Sequence, residues 1–300
     1  MARILIVGAT GHLGQELVAA CQRQSAEVHA LVRPAARRDP AKMKSLQAAG
    51  ATIHEGDLTD EGSLLRACRA VDVVISAVGG MQIGDEAALV KAAKEAGVQR
   101  FVPSGFGLDP AAAGSGSCGL FDAKAAVQKS VEKSAIPYTF IHSNGFFSYW
   151  VFSLGDLTRL GGKLPPDEVN VYGDGNVQGV FTSLPDVATI AVRAVHDPRM
   201  RNQELRITAN TITQNMLIAL WQTASGRTVA RTGVPAAELE KIIAAATGPE
   251  QGMIRTAAQL HRSLWIRGDG AKRAGSALEA TEVYPDMRFQ TIEEAFATLV

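Results

Sequence analysis

Cysteine is nearly absent from this 300-residue chain: Cys21, Cys68 and Cys118 are odd in number and far apart. That excludes a disulfide framework and offers no thiolate cluster for a metal, so no metal is expected and the thiols read as those of a reducing compartment. Cys21 fits the apolar face of a helix, whereas Cys118 lies in a glycine–serine stretch and is expected to be exposed. Net charge is absent too. Thirty basic and thirty acidic residues cancel, which removes the electrostatic case for nucleic acid or an anionic membrane as partner. No apolar stretch approaches the roughly 18 uninterrupted residues of a spanning helix. The first residues run straight into a strand without a signal-peptide pattern, so a cytoplasmic protein is expected. Internal repeats and long polar linkers are also missing.

What the chain has is apolar content, 46% over 300 residues, enough to bury a sizeable core in one large α/β domain or in a nucleotide domain with an appendage. Its most informative stretch is Ile4 to Gly14, ILIVGATGHLG. Four apolar residues predict a buried parallel strand. Gly8, Gly11 and Gly14 follow, and the run Leu13, Leu17, Val18, Cys21 then has helical spacing. Strand, glycine turn and helix in that order form a dinucleotide-binding unit, in which the pyrophosphate sits over the N–H groups of the helix N-terminus. The next predicted strand, Glu27 to Val32, should end beside the adenosine ribose, where an NAD enzyme places Asp or Glu. This chain places Arg33 there, followed by Arg37, Arg38, Lys42 and Lys44. A 2′-phosphate would meet positive charge, so the expected cofactor is NADP (NADPH). A solvated basic loop accounts for Arg37 and Arg38 equally well, but not for the placing of Arg33.

Alternation continues. Strands are expected at Arg3–Val7, Glu27–Val32, Thr52–Glu55, Val71–Ser76, Arg100–Pro103 and Tyr138–His142, with helices around 13–24, 41–49, 61–69, 83–96 and 122–134 between them. This pattern implies a Rossmann-type, doubly wound parallel sheet with its ligand at the strands' carboxyl ends. The motifs GATGHLG, LVR, GDLTD, SAVGGMQ, PSGFG and HSNGF all fall at those ends. After about residue 155 the alternation loosens into short strands at Val169–Tyr172 and Gly179–Phe181 and helices at 186–195, 215–223, 236–246, 253–263 and 292–299. The expected division is 1–155, an NADP-binding domain, and 156–300, a smaller α/β substrate-binding domain with some segments returning to the sheet. The stretch Gly105–Gly119 holds five glycines and two serines and is expected to be its most mobile part.

One more absence bears on chemistry. Ordinary short-chain dehydrogenases place a tyrosine four residues before a lysine on one helix face, yet Leu120 stands four residues before Lys124. Lys124, if catalytic, must handle the proton itself; a lone lysine on a surface helix is ordinarily a solvated charge. Taken together, GATGHLG, LVR, VDVVISAVGGMQ, RFVPSGFGLD, FDAK, IPYTFIHSNGF, VNVYGDGN and YPDMRFQTIEEAF resemble the isoflavone reductase-like family of NmrA-like atypical short-chain dehydrogenases, over nearly the whole chain. The resemblance implies NADPH binding and one catalytic lysine twelve residues before the IPYT strand, which is Lys124.

Carried over by position, Gly8, Thr10, Gly11, His12, Leu13 and Gly14 would line the pyrophosphate, and Arg33 with Lys42 would meet the 2′-phosphate. Ala77, Val78, Gly79 and Gln82 would border the cofactor, with Ser104 and Gly105 near the nicotinamide ribose and Asn144 and Phe146 about the nicotinamide. Asp57 reads equally as a cap or an adenine contact, and His142 as a hydrogen-bonded strand-end histidine. Two departures stand out: PSGFG replaces the PSEFG of plant members, and Leu108 takes the place of a histidine found in leucoanthocyanidin reductases. The activity implied is reduction of a phenylpropanoid-derived aromatic, of the lignan, benzylic ether or isoflavone type, with Lys124 as general base. The cluster Phe146, Phe147, Tyr149, Trp150 and Phe152 would wall the ring or else fill a core. An NADP(H)-sensing regulator and a quinone or enone reductase are the alternatives, and a homodimer is left open.

Overall fold

The computed structural model describes residues 2–300. In chain order its elements are β1 (Arg3–Val7), α1 (His12–Arg23), β2 (Glu27–Val32), the short α2 (Pro34–Arg37), α3 (Pro40–Ala48), β3 (Thr52–Glu55), α4 (Glu61–Arg69) and β4 (Val73–Ser76). Then come α5 (Glu86–Glu95), β5 (Arg100–Val102), the short α6 (Pro110–Ala113), α7 (Gly119–Ser134), β6 (Thr139–His142), β7 (Gly145–Phe146), β8 (Glu168–Tyr172) and β9 (Gln178–Thr182). The rest are α8 (Leu184–His196), β10 (Gln203–Arg206), β11 (Asn210–Thr213), α9 (Gln214–Ser225), β12 (Ala230–Val234), α10 (Ala236–Ala245), α11 (Gly252–His261), β13 (Leu278–Glu279), α12 (Ala280–Val283) and α13 (Ile292–Ala297). No helix among the described residues is long and apolar enough to cross a membrane.

Chain contacts divide the protein into two compact units. The first comprises the chain up to Phe106 together with Ala123–His142 and Leu184–Leu205. Its sheet has the order β3-β2-β1-β4-β5, all parallel. β1 is central because Ile4 to Val7 are apolar on both faces, as a strand covered by helices on each side must be. A parallel bridge from Phe101 to Tyr138 carries β6 on beyond β5. α1 buries Leu13, Leu17, Val18 and Cys21 on one face. α8 lies against α1, and Gln24 Nε2 donates to Thr189 O across that contact at 3.0 Å. Asp39 and Asp60 accept backbone N–H groups at the starts of α3 and α4, each cap contributing about 1 kcal/mol.

The second unit comprises Gly107–Asp122, Ser143–Ser183 and Arg206–Val300. It holds a sheet β11-β9-β7 and a parallel pair β8 and β12. Its core gathers all three tryptophans, Trp150, Trp221 and Trp265, with Tyr172, Phe181 and Phe296. Within that core lies a polar knot. Asp156 accepts hydrogen bonds from the Tyr172 hydroxyl (2.9 Å), Thr158 Oγ1 (2.6 Å) and Asn170 N (2.9 Å). His261 stacks on Tyr172 with ring centroids 3.9 Å apart, and its Nε2 accepts Leu157 N–H at 2.9 Å. An N–H can only donate, so this ring is neutral with its proton on Nδ1. Burial pushes the imidazole down to about 4 despite the attraction of Asp156.

Several expectations change: the helix expected around 122–134 begins at Gly119, and the strand expected from Tyr138 begins at Thr139. β4 begins at Val73 rather than Val71, because Asp72 turns its carboxylate to Arg3, accepting from its N (3.0 Å) and Nη2 (2.7 Å). α5 begins at Glu86, after a 3-10 segment over Gly80–Asp85. Cys118, expected to be exposed, is buried with Leu108, Ala113 and Phe121 in a small cluster of the second unit. The glycines around it turn the chain so that these apolar side chains meet.

Candidate functional site

In the first unit, the turns that follow β1, β4 and β5 touch one another at the carboxyl edge of the sheet. Gly8 has φ +88°, and a Cβ there would lie 2.5 Å from Ala77 O in the turn after β4. Gly14 is tighter still: its Cβ would stand 2.1 Å from Gly8 O. Only hydrogen fits at either position. Gly11 caps α1 without a side chain, and no acidic residue occupies the first helical turn. The N-terminal N–H groups of α1 are therefore offered to a ligand, and an anion is the ligand they favour. Gly11 and His12 are exposed there, Thr10 is half-buried, and Leu13 and Gly14 lie beneath them. This bare helix end fits the diphosphate of a dinucleotide.

Arg33 stands exposed directly after β2. Its neighbours are turned elsewhere: Arg37 pairs with Glu55 and Lys42 with Asp39, each at 3.5 Å. Such exposed pairs are worth at most about 1 kcal/mol and yield readily to a stronger anion. Asp57 accepts from Thr59 N (3.0 Å) and Oγ1 (2.9 Å), which hold its carboxyl below the usual range, with a smaller pull from Arg33. It acts as a turn cap.

From β4 the contacts pass inward. Ala77 N donates to Val7 O at 2.7 Å, and Val78 O accepts the Ser104 hydroxyl at 2.8 Å. Gly79 and Gln82 are exposed in the same turn, where Gln82 N donates to Gly79 O at 2.9 Å. Beyond Ser104, Lys124 of α7 reaches the chain: Nζ donates to Phe106 O at 2.6 Å and to Gly105 O at 3.4 Å. The lysine is only 6% exposed, so it is not the solvated surface charge that its helix position alone would suggest. One turn on, Gln128 lies beside Gly105, whose absent Cβ would be 3.8 Å from Gln128 Nε2.

Sequence reasoning missed Glu86. This first residue of α5 is fully buried, and its Oε1 accepts Ser104 N–H at 3.0 Å. Burial pushes its carboxyl up to about 7; the Ser76 hydroxyl, the Ser104 N–H and the Lys124 ammonium pull the other way. An acid in a first helical turn reads as a dipole-stabilising surface charge. The overlooked signal was register: Ile83, Glu86, Leu89, Val90 and Ala93 form one buried stripe.

Structure brings together Gly8, Gly14, Ala77, Val78, Ser104, Gly105 and Lys124 through these contacts. Arg33 and Lys42 belong to the same unit but to the turn after β2 and the start of α3. His142, also of the first unit, is buried with Nε2 3.0 Å from Glu204 Oε2. Asn144 and Phe146 belong to the second unit. Asn144 has φ +57°; its N–H donates to Gly107 O and its Nδ2 to Ile207 O, both at 2.9 Å. The aromatic run divides by burial: Phe147 and Trp150 enter the core, while Tyr149 is 41% exposed and tilts against the half-buried Phe146 at 6.1 Å.

Residues 1–296 match the model of the NmrA-like family. The chain is 37% identical over 303 residues to a phenylcoumaran benzylic ether reductase of Ginkgo biloba, covering 97% of each chain. It is similar to AtPrR2 solved with NADP+ and (+)pinoresinol, with TM-score 0.88 and 30% identity over 100% of this chain and 99% of that one. It is also similar to the binary complex of leucoanthocyanidin reductase with NADPH from Vitis vinifera, with TM-score 0.87 and 31% identity over 99% of both.

Proposed function

This chain belongs to the NmrA-like family and is an NADPH-dependent reductase of the isoflavone reductase-like type, and we propose that it reduces a phenylpropanoid-derived aromatic with Lys124 as general base. The single observation that carries the reading is the placing of Lys124. It is a buried lysine whose Nζ ends on the Gly105–Phe106 backbone, and that backbone is joined through Ser104 to the turn against which Gly8 packs. NADPH supplies the hydride when bound at the bare end of α1. The chain's own part is to hold the diphosphate on the N–H groups of α1, to meet the 2′-phosphate with Arg33, and to move one proton at Lys124 Nζ. In a lignan or benzylic ether, Nζ takes the proton of a 4-hydroxyphenyl group, and the phenolate expels the benzylic oxygen, which leaves with the bonding pair and takes up a proton from water, to give a quinone methide. The benzylic carbon is then the hydride acceptor.

A second reading has its own observation. Nζ donates to two carbonyl oxygens, and a lysine held there as an ammonium would orient the oxygen of a quinone or enone rather than remove a proton. An NADPH-oxidation screen over lignans, phenylcoumarans, isoflavones and quinones tests both. The first reading expects turnover of a 4-hydroxyphenyl substrate, with Lys124→Ala slower by about 10²-fold or more at little change in NADPH affinity. Turnover confined to quinones overturns it.

A further inference from the structure

Glu86 and Lys124 grip one short turn from opposite chemistry. Glu86 Oε1 takes the turn's N–H at Ser104 (3.0 Å), and Lys124 Nζ gives hydrogen bonds to its carbonyls at Phe106 (2.6 Å) and Gly105 (3.4 Å). Both side chains are buried, the glutamate completely. A carboxylate in such a place costs several kcal/mol unless a cation answers it, and a helix that merely needed the Ser104 N–H satisfied could use a neutral amide. From β4 Glu86 is faced by Ser76, from the turn by Ser104 N–H, and from α7 by Lys124. Of the other charges on α4 and α5, Lys91 pairs with Glu61 and Arg69 with Glu95 at the surface, and Arg66 and Lys94 are exposed to solvent. Lys124 is thus the cation that faces it. The second carboxyl oxygen, Oε2, is buried without a well-formed hydrogen bond among the described residues, so its charge rests on the Ser76 hydroxyl that faces the carboxyl group and on Lys124.

We propose that Glu86 is a positioning residue for Lys124: its carboxylate fixes the Ser104–Phe106 turn and raises the proton affinity of the lysine that grips the same turn. The assignment of a base role to Lys124 is the reading on which its catalytic meaning rests; the electrostatic coupling is independent of it. When Nζ accepts a substrate proton, the ammonium formed is answered by a carboxylate already in place. The proton resides on Nζ, and Glu86 exchanges none with the substrate.

The test uses NADP+-bound protein with lysine labelled at 13Cε and glutamate at 13Cδ, followed by NMR as pH is varied; the Lys124 signal is assigned by its loss in Lys124→Met. Glu86→Gln keeps the Ser104 acceptor and removes the charge. The Lys124 midpoint should fall by about one unit or more, the range for losing a close opposite charge. Reciprocity requires the Glu86 midpoint to rise in Lys124→Met, which carries the test even where the glutamine variant does not fold. Unmoved midpoints overturn the proposal. The acid limb of kcat/KM, measured alongside, separates the two ideas: a shifted Lys124 midpoint with an unshifted limb supports the coupling and refutes the base role.

Discussion

Acidification tests the buried imidazole of the second unit. His261 titrates near 4 in the folded protein because burial opposes its charge, against about 6.5 in an unfolded chain. Its folded value is depressed, so between those limits the unfolded state takes a proton that the native ring refuses, and stability falls as pH falls. Linkage over that interval gives a loss of about 2 kcal/mol between pH 7.5 and 5. Glu86 acts with the opposite sign. Its folded value is raised to about 7 from about 4.5, so the native state binds the extra proton and gains about 2 kcal/mol over the same interval. The two contributions nearly cancel in the wild type, and a flat profile alone would be uninformative. Urea unfolding at both pH values, followed by tryptophan fluorescence and far-UV circular dichroism, should therefore compare variants. His261→Gln, which can still accept Leu157 N–H, should gain about 2 kcal/mol relative to wild type on going from pH 7.5 to 5. Parallel profiles for variant and wild type would refute the reasoning.

Arg33→Ala should weaken NADPH binding by about tenfold or more while leaving NADH nearly unchanged, since only the 2′-phosphate contact is lost; titration by nucleotide fluorescence reads both. Gly14→Ala places a Cβ 2.1 Å from Gly8 O and 2.7 Å from Ala9 Cα, backbone that cannot step aside. It should cost about 1–3 kcal/mol in urea unfolding and lower NADPH affinity as the turn opens. Lys124→Arg keeps a cation but cannot deprotonate a phenol near neutral pH, so single-turnover hydride transfer should be nearly as slow as in Lys124→Ala; wild-type speed would remove the base role.

The sheet was legible where strand and turn chemistry agreed. Arg3–Val7, Glu27–Val32 and Thr52–Glu55 have the bounds expected of them, because each is closed by glycine, Arg-Pro or an aspartate-led turn. Legibility failed where a polar side chain found a distant partner. Asp72 leaves β4 for Arg3, sixty-nine positions away, and no local pattern announces that. Glu86 was missed although its register places it on the buried stripe of α5, because the partners that make a buried carboxyl tolerable, Ser104 and Lys124, lie on other elements. Cys118 was misjudged from composition, since glycine and serine around a residue describe the freedom of the backbone and not the company of the side chain. The β1 turn and Arg33, by contrast, depend on near neighbours in sequence.

The three thiols have a use that their burial creates. Alkylation needs a thiolate within reach of the reagent, and burial pushes Cys21 and Cys68 up to about 12 and raises Cys118 as well. At pH 8 a group titrating near 12 is ionised to about one part in ten thousand. Native protein should therefore react with iodoacetamide only when a segment opens, and the rate becomes a clock for opening. Cys21 and Cys68 belong to the first unit and Cys118 to the second, so peptide mapping after timed labelling would resolve their openings in one experiment. Bound NADPH should slow labelling at Cys21, whose helix begins at the diphosphate-binding turn. With three built-in chemical reporters the protein can reveal which unit loosens first without any introduced probe.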